Sequence, residues 1–433
     1  MATPVNVALM GLGVVGSGVA RALLEKGDVY ARRLGRPLRL YRVLVRDPDK
    51  RRALPIDPAI LTTDPARVLE DQQVHIVVEL MGGEQPAADY IRQALARGRY
   101  VVTANKEVMA KHGPELLALA HRQGVDILYE ASVGAGIPIV SPLKRDLSAN
   151  DIRAVRAIIN GTTNYILTRM DSDGLDFTTA LAQAQELGYA EPDPTNDVEG
   201  HDAVYKLAIL ASLAFHTRVP PEAIYREGIT RLQGRDFRYA RELGYRIKLL
   251  AIARRAAANG TEALEARVHP ALLPQGELLA KVDGVLNAIE VEGDLLGRVV
   301  FQGQGAGAQP TASAVVADIL DAAQALAHGR PPTPWQGDAE LPLRPMTDLE
   351  CRYYIRMEVA DRPGVLAQIA RCFGDHRVSI ASVIQKETNE AAQTAEIVIM
   401  THIAREADVR ATMADVQRLD VVCEVGNFLR VEG

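Results

Sequence analysis

Cysteines and long apolar runs are scarce in this sequence, and each shortage excludes a class of protein. Only three cysteines occur among the 433 residues, Cys351, Cys372 and Cys423, with no spacing typical of zinc ligands or of a disulfide framework. So few cysteines, odd in number, indicate reduced thiols and a cytoplasmic location. No apolar run approaches the roughly 18 residues of a membrane helix. A strand pattern begins so early that no signal peptide is expected.

The charge balance is mildly acidic. Lys and Arg total 49 against 55 Asp and Glu, a formal net charge of -6, which argues against nucleic acid or an anionic membrane as a main partner. A hydrophobic fraction of 48% is ordinary for a globular protein, and the length suffices for two or three domains. We therefore expect a soluble chain of several domains.

A glycine-rich turn follows the first predicted strand. Residues 5–10 form a short apolar run, VNVALM, and the next six residues read GLGVVG before a helical pattern that continues through Leu24. A GxGxxG between strand and helix is typical of dinucleotide sites: Gly11 permits the turn, Gly13 the approach of a pyrophosphate, and Gly16 close packing. The residues expected to contact the cofactor are Gly11, Leu12, Gly13, Val14, Val15 and Gly16.

The end of the second predicted strand, 39–45, bears on cofactor preference. Arg46 stands where an NAD site usually carries an acidic residue for the ribose hydroxyls. An arginine instead suits a 2′-phosphate, and Lys50 adds positive charge nearby. Asp47 could still reach a ribose, so the sequence favours NADP(H) and leaves NAD(H) open.

Further strands are predicted at 74–80, 100–103 and 127–131, and most of them end in small residues. In an open parallel sheet, ligands bind at the carboxyl edge, and right-handed crossovers bring these ends to the same edge. Lys106 follows one strand end and precedes a helix. A lysine there could meet a phosphate, a carboxylate or a reacting oxygen, or it could be an ordinary surface lysine.

The most informative stretch is 184–206, AQELGYAEPDPTNDVEGHDAVYK, which contains six carboxylates and one lysine. Asp202 and Lys206 are four residues apart and so share a helix face, which continues through the apolar Ile209 and Leu213. A charge at the edge of a buried face is costly unless it serves a function. The alternative is an ordinary ion pair on a helix, worth about 0.3–0.5 kcal/mol.

The strand–helix alternation breaks down between about 150 and 300, which indicates an α+β region with a substrate pocket and a subunit interface. Strands are predicted at 154–160, 263–269 and 285–302, and helices at 178–188, 198–216 and 236–257. A second glycine-rich turn, GQGAG at 303–307, leads into a helix from Thr311. Gly305 in this turn either neighbours the cofactor or belongs to a plain tight turn.

The last part of the chain follows a proline-rich stretch. Five prolines and little periodicity between 328 and 345 indicate a linker. Strand and helix patterns after it follow the order β-α-β-β-α-β, which is ferredoxin-like. We therefore predict an α/β chain with a Rossmann-type domain, an α+β catalytic and dimerisation domain and a ferredoxin-like domain. The predicted boundaries are 1–148 (completed by about 303–327), 149–302, a linker at 328–349, and 350–433.

At this point the motifs resemble a known family, the homoserine dehydrogenases with a C-terminal ACT regulatory domain. The similar segments are GLGVVG at 11–16, TANK at 103–106, YEASVGAGIP at 129–138, NGTTNYIL at 160–167 and DRPGVLAQIA at 361–370. The family pattern is also matched at Ala184, Gly188, Tyr189, Asp193, Pro194, Asp197, Gly200, Asp202 and Lys206. The resemblance covers essentially the whole chain.

The resemblance implies an activity and roles for individual residues. The family interconverts L-aspartate 4-semialdehyde and L-homoserine with NAD(P)H, in threonine, methionine and isoleucine biosynthesis. Lys206 matches the proton donor and acceptor at the substrate oxygen, and Lys106 a lysine near the nicotinamide and substrate. Glu191, Asp197 and Asp202 match acids that bind the substrate.

The resemblance also implies a cation, an effector and an assembly. Glu130, with backbone carbonyls at Val133, Ala135 and Ile137, matches a monovalent-cation site, typically for sodium; the alternative is a turn without an ion. The effector would be L-threonine, bound at the ACT residues Asp361, Gly364, Val365 and Leu366. The alternative is an ACT domain that only forms dimer contacts. A homodimer or homotetramer is expected, and removal of residues after about 345 should leave catalysis and abolish threonine inhibition.

Two other functions stay open on the residues alone. One is a different NAD(P)-dependent oxidoreductase of the same general fold, although a phosphorylating semialdehyde dehydrogenase would need a cysteine before Cys351. The other is a non-catalytic amino-acid sensor that keeps a nucleotide fold and an ACT module. The set of Lys206, Asp202, Glu191 and Lys106 argues against a sensor, and turnover of homoserine with NADP would distinguish the two.

Overall fold

A computed structural model of the chain describes residues 3–52, 54–258, 260–329, 341–389 and 391–433. The chain divides into two compact units, each assembled from three separate segments. The first unit comprises Met1–Val155, Tyr205–Ala223 and Ile289–Leu341, and the second Arg156–Val204, Ile224–Ala288 and Pro342–Gly433. The domain boundaries given above stay predictions, and most of the expected linker, 330–340, lies outside the described residues.

Strands and helices alternate in the first part of the chain and are mixed later. The strands are β1 Val5–Met10, β2 Leu38–Leu44, β3 Leu61–Thr62, β4 Ile76–Glu79, β5 Tyr100–Thr103, β6 Ile127–Leu128, β7 Ile152–Ile158, β8 Tyr225–Arg226, β9 Tyr245–Ala258, β10 Thr261–Pro274, β11 Leu286–Gly293, β12 Gly297–Gln304, β13 Glu350–Ala360, β14 Ile380–Asn389, β15 Thr394–Thr401, β16 Ala404–Arg405 and β17 Val422–Val431. The helices are α1 Val14–Glu25, α2 Gly27–Leu34, α3 Ala66–Leu69, α4 Ala87–Ala96, α5 Lys106–Arg122, α6 Val140–Lys144, α7 Gly161–Asp173, α8 Phe177–Glu186, α9 Thr195–Val198, α10 His201–Ala214, α11 Gly234–Glu242, α12 Ala308–His328, α13 Val365–Asp375 and α14 Glu406–Val416.

The first unit contains a parallel sheet. Its strand order is β3-β2-β1-β4-β5-β6, and each neighbouring pair runs parallel. Every residue of β1, β4 and β5 is buried, as expected for central strands covered on both faces. This order is that of a Rossmann-type fold and confirms the predicted fold class. None of the described helices is long and apolar enough to cross a lipid bilayer.

The C-terminal part of the second unit is a βαββαβ module. Its strands follow the sheet order β17-β13-β15-β14, all antiparallel, and α13 and α14 follow β13 and β15 along the chain. Its core includes Tyr353, Ile355, Phe373, Ile397 and Val416. The predicted ferredoxin-like order is therefore confirmed.

The module also continues the sheet of the hairpin β9–β10. Strand β17 pairs in parallel with β10, with Ala271 opposite Arg430 and Leu272 opposite Val431. The described end of the expected linker also pairs with β10, because the Leu264 amide donates to the Pro342 carbonyl at 2.9 Å.

Three arginines are buried where the module meets the rest of the second unit. Arg356 on β13 pairs with Asp236 of α11 at 2.7 Å, Arg267 on β10 pairs with Glu432 at 2.7 Å, and Arg430 on β17 pairs with Glu227 at 2.9 Å. Their side chains are at most 2% exposed. Removal of residues after about 345 would leave buried acids without their arginine partners, which should destabilise the remaining chain. A truncated protein would therefore not show whether a loss of inhibition comes from the missing module or from lower stability.

The helix predicted at 236–257 is wrong. The structure has α11 only to Glu242, then Gly244 in the left-handed region at φ 82°, then β9 from Tyr245. The sequence of β9 is rich in Ala, Leu and Arg, which favour helices. Its pairing with all of β10 outweighs that local preference, as tertiary context often does.

Two other predicted elements are divided by turns. The helix predicted at 198–216 is interrupted, because Gly200 adopts φ 80° between α9 and α10. The strand predicted at 285–302 is two strands, β11 and β12, with Gly297 at φ 69° where β12 begins. Positive φ at each glycine allows the chain to turn where the predicted element is interrupted.

Candidate active site

The glycine-rich turn between β1 and α1 has three differently constrained glycines. A Cβ on Gly11, which has φ 104°, would lie 2.7 Å from the Leu80 carbonyl oxygen. A Cβ on Gly16 would lie 2.2 Å from the Gly11 carbonyl oxygen. Gly13, in contrast, faces open space, with nothing within 4 Å. Gly11 and Gly16 are therefore needed by the fold itself, whereas Gly13 leaves room beside the start of α1 for a bound phosphate.

The end of β2 lies beside this turn. The Gly11 amide donates to the Leu44 carbonyl oxygen at 3.0 Å. Arg46 and Lys50 are both exposed just beyond this point. The loop between them is held by Arg52, whose guanidinium donates to the Asp47 carbonyl oxygen at 2.6 Å. Two exposed cations thus lie near the carboxyl end of β2.

Lys106 begins α5, soon after the end of β5. Asn105 caps the helix, with its side-chain oxygen accepting from the Val108 amide at 3.1 Å, while its amide group donates to the Gly83 carbonyl at 2.7 Å. Glu79 at the end of β4 is completely buried and accepts from the Thr103 hydroxyl at 2.7 Å. Burial raises the pKa of Glu79, against these hydrogen bonds, which lower it. Glu79 thereby joins the end of β4 to the end of β5, the strand that precedes Lys106 in the chain.

Glu79 was not among the predicted site residues. A single acid at the end of the apolar run 74–80 was the available signal, since a buried carboxylate requires partners.

The second glycine-rich turn packs beside the first helix. Gly305 is buried between β12 and α12. A Cβ on Gly18 of α1 would lie 3.0 Å from the Ala312 side chain of α12, so the two helices approach closely.

The loop after β6 has a buried glutamate at its start. The Glu130 carboxylate accepts from the backbone amides of Ile139, Val140 and Ser141 at 2.6, 2.8 and 2.7 Å. It therefore caps the first turn of α6, which the sequence did not indicate. The Glu130 amide donates to the Asp318 carboxylate at 2.9 Å, and burial, followed by the charge of Glu130, raises the pKa of Asp318 well above its ordinary value.

The carbonyl oxygens expected to bind a cation lie in the same buried loop. Val133, Ala135 and Ile137 are all buried, and Ala135 adopts φ 48°. Across the described residues, no hydrogen-bond donor pairs with the carbonyl oxygens of these three residues. The described chain also lacks a group of three or more His, Cys, Asp or Glu residues able to hold a metal ion. A cation here would rest mainly on carbonyl oxygens.

In the second unit, Asn160 joins two of the predicted substrate acids. Its amide nitrogen donates to Asp197 at 2.7 Å and to Asp202 at 2.9 Å. Its side-chain oxygen accepts from the Thr163 amide at 2.8 Å and caps α7. The sequence analysis placed Asn160 at the end of a predicted strand, and the two carboxylate contacts depend on residues 37 and 42 positions away. Asn160 is thus a site residue that sequence reasoning missed.

Asp202 and Lys206 lie one turn apart on α10 and are both buried. Only 4% of Asp202 and 8% of Lys206 is exposed. This burial excludes the alternative of a solvated ion pair on a helix surface. Glu191, in contrast, is exposed in the loop before α9, where its backbone carbonyl accepts from the Gln185 side chain at 3.2 Å.

The predicted effector residues form the turn between β13 and α13. Gly364 adopts φ 89° as the residue before the helix, and Val365 is buried in the core of the module. Asp361 and Leu366 are exposed.

Comparisons with known proteins match three consecutive regions of the chain. Family models described as the NAD binding domain of homoserine dehydrogenase, homoserine dehydrogenase and the ACT domain match residues 11–130, 138–320 and 353–421. The homoserine dehydrogenase of Neisseria gonorrhoeae is 43% identical over 436 residues, which cover 99% of both chains.

Solved structures agree with the sequence matches. The homoserine dehydrogenase of Thiobacillus denitrificans is 44% identical, covers 99% of this chain and 98% of its own, and superposes with a TM-score of 0.92. A hyperthermophilic archaeal homoserine dehydrogenase in complex with NADPH is 28% identical, covers 74% of this chain and 98% of its own, with a TM-score of 0.61. The chain therefore binds a nicotinamide cofactor and belongs to the homoserine dehydrogenase family of oxidoreductases.

Proposed function

We propose that this chain interconverts L-homoserine and L-aspartate 4-semialdehyde with NADP(H), and that Lys206 transfers the proton at the substrate oxygen. The observation that carries the proposal is the buried pair on α10: Asp202 held by Asn160, with Lys206 one turn later. Buried charges of this kind are costly unless they serve a function. The family membership supplies the substrate.

The chemistry follows from the charges involved. When bound, the dinucleotide supplies hydride for reduction of the aldehyde or accepts it from the alcohol. Negative charge grows on the substrate oxygen during reduction, and the Lys206 ammonium stabilises that charge and donates the proton. In the reverse direction the neutral amine of Lys206 accepts the hydroxyl proton. Burial of Lys206 keeps water away, which strengthens the interaction.

The acids of the second unit suit a zwitterionic substrate. Asp197 and Asp202 share one amide group, that of Asn160, which fixes the two carboxylates relative to each other. We assign Asp197, Asp202 and Glu191 to the substrate's ammonium and hydroxyl end, and Lys106, at the start of α5, to the neighbourhood of the nicotinamide.

Steady-state turnover tests the proposed reaction. Wild-type protein with NADP⁺ should oxidise L-homoserine and leave L-2-aminobutyrate untouched, because the latter lacks the hydroxyl group. Equal turnover of L-2-aminobutyrate would indicate oxidation at the amine and a different dehydrogenase. Cofactor binding without turnover of either compound would indicate a sensor.

We propose that Arg46, with Lys50 beside it, contacts the 2′-phosphate and sets a preference for NADP(H). Arg46→Asp should raise KM for NADP⁺ by about tenfold or more, because a charge-assisted hydrogen bond contributes roughly 1.5–3 kcal/mol. KM for NAD⁺ should stay the same or fall. Arg51→Asp is the matched control, since Arg51 is exposed in the same loop. Equal effects of the two variants would mean that Arg46 contributes only to the positive charge of the loop and makes no specific contact with the 2′-phosphate.

We propose a sodium site formed by the carbonyl oxygens of Val133, Ala135 and Ile137, with Glu130 at the start of the same loop. Oxygen ligands suit a hard cation. Replacing sodium chloride with choline chloride at equal ionic strength should lower the melting temperature, because an ion that binds only the folded state stabilises it. An unchanged melting temperature would contradict the site.

We propose L-threonine as a feedback inhibitor at the turn of Asp361, Gly364, Val365 and Leu366. Asp361→Asn should raise the threonine concentration for half-inhibition by about tenfold, because a charged partner for the effector's ammonium is lost. Asp375→Asn, an exposed acid at the end of α13, is the control. A wild-type protein indifferent to threonine would indicate a module that only forms dimer contacts. A homodimer or homotetramer is expected, which light scattering checks.

A further inference from the structure

Residues 225–230, called here the bridging segment, lie against the turn 198–200 that precedes α10. The Ile229 amide donates to the Val198 carbonyl oxygen at 2.8 Å. The Thr230 hydroxyl donates to the Glu199 carboxylate at 3.2 Å, and the Arg226 guanidinium donates to the Glu199 carbonyl oxygen. Arg226, Ile229 and Thr230 therefore each bond directly to this turn, and the residues between them are held against it.

The bridging segment and the turn 198–200 pack in close contact. A Cβ on Gly228 would lie 2.5 Å from the Val198 carbonyl oxygen and 2.8 Å from the Glu199 Cα. Both neighbouring atoms are backbone, so a shift of the bridging segment would push on the turn itself. Gly200, at φ 80°, completes the turn, and its Cβ position lies 3.5 Å from the Arg226 side chain.

The C-terminal module holds the bridging segment mainly through an ion pair between Arg430 and Glu227. The Arg430 guanidinium donates two hydrogen bonds, both 2.9 Å, to the two oxygens of Glu227. Arg430 is completely buried, and its second carboxylate partner is the buried Glu406. Burial alone would raise the pKa of Glu227, but Arg430 outweighs it and lowers the pKa to about 2, so Glu227 is charged at neutral pH.

A second contact comes from α14 of the same module. The Arg410 guanidinium donates to the Tyr225 hydroxyl at 2.6 Å. A cavity of about 640 Å³ borders the contact, lined in part by Glu199, Glu227 and Arg410. Side chains of the module therefore hold the bridging segment in place on the side that faces this cavity.

The turn held in this way carries the substrate acids. Asp197 comes one residue before Val198, and Asp202 comes two residues after Gly200. We infer that Glu227 and Arg226 are positioning residues that transmit the placement of the ACT module to Asp197 and Asp202. The inference rests on the proposed function only in assigning those two acids to the substrate.

Amide hydrogen exchange and kinetics on the full-length protein test this inference together. Glu227→Gln keeps the shape of the side chain and removes the charge that Arg430 binds. Exchange in peptides covering 195–204 should become faster by about tenfold. KM for L-homoserine should rise by about tenfold with kcat changed less than about twofold, because the acids bind substrate and the proton-transferring Lys206 is untouched.

Glu396→Gln is the matched control. Glu396 is a buried acid of the same module, paired with Arg356 at 3.1 Å, and the described residues contain no hydrogen bond from it to the bridging segment. This variant should lose comparable thermal stability and leave both exchange at 195–204 and KM as in the wild type. Arg226→Met, which removes the bond from Arg226 to the Glu199 carbonyl oxygen, should reproduce the effect of Glu227→Gln if the latter folds poorly.

The outcomes separate the inference from the proposed function. Unchanged exchange at 195–204 in both Glu227→Gln and Arg226→Met overturns the inference, whatever the activity of the wild type. Faster exchange with unchanged KM overturns the effect on the substrate acids. The variants could exchange faster while the wild-type protein never oxidises homoserine. That result would support the coupling between the bridging segment and the turn 198–200, and it would overturn the proposed reaction instead.

Discussion

Replacing Lys206 with methionine should lower kcat for L-homoserine oxidation by about 10² or more, while binding of NADP⁺ persists. Positioned acid–base groups typically contribute about 10²–10⁴ in rate. Methionine has nearly the length of lysine and no charge, so it fills the same buried place on α10 without accepting a proton. Steady-state kinetics, with cofactor binding measured by fluorescence, check the expectation.

Two further variants make the Lys206 result specific. Lys26→Met removes an exposed lysine between α1 and α2 and should leave kcat within about twofold of the wild type. Lys106→Met should weaken turnover by a smaller factor if Lys106 only neighbours the nicotinamide. A Lys206→Met protein that keeps its activity, beside a Lys106→Met protein that loses it, would transfer the acid–base role to Lys106.

Replacing Arg356 with methionine should lower the free energy of unfolding by about 3–5 kcal/mol, because removal of one partner leaves buried charges uncompensated. Arg356 is 2% exposed and pairs with Asp236 and Glu396, which are 0% and 4% exposed. The Asp236 carboxylate also accepts from the Asn427 side chain, so several residues share the loss. Urea unfolding followed by circular dichroism measures the change.

Arg371→Met is the control for Arg356. It removes an exposed arginine of the same module, whose pair with Asp375 spans 3.8 Å with side chains 84% and 68% exposed. The expected change is within about 0.5 kcal/mol. Adding Asp236→Asn to Arg356→Met should recover part of the lost stability, since the buried charge that Arg356 compensates disappears. Equal unfolding of the Arg356 and Arg371 variants would contradict the account of the buried arginines.

Local sequence patterns were sufficient to predict those features that one short segment determines. The strand at 5–10, the turn with Gly11 and Gly16, and the spacing of Asp202 and Lys206 are all encoded within a few residues. The ferredoxin-like order of the last domain was also predicted, because its strands alternate strongly and its turns contain glycine and proline.

Features that depend on distant partners were not predicted. The helix expected at 236–257 is largely strand β9, since pairing with β10 outweighs helix-favouring residues. Asn160 was placed at the end of a predicted strand, and its contacts to Asp197 and Asp202 arise only in the folded chain. The buried arginines looked like ordinary charges in the sequence, because a single sequence does not reveal burial or a partner over 100 positions away.

The measurement that tests the central claim most directly uses L-homoserine with deuterium at its hydroxyl-bearing carbon, C4, and NADP⁺. We predict that the reduced cofactor contains the deuterium and that the organic product is the 4-semialdehyde, as mass spectrometry would show. A reduced cofactor without deuterium would place the oxidation at another carbon and contradict the proposed reaction. No reduction at all, by a folded protein that binds NADP⁺, would contradict the assignment of this chain as an active homoserine dehydrogenase.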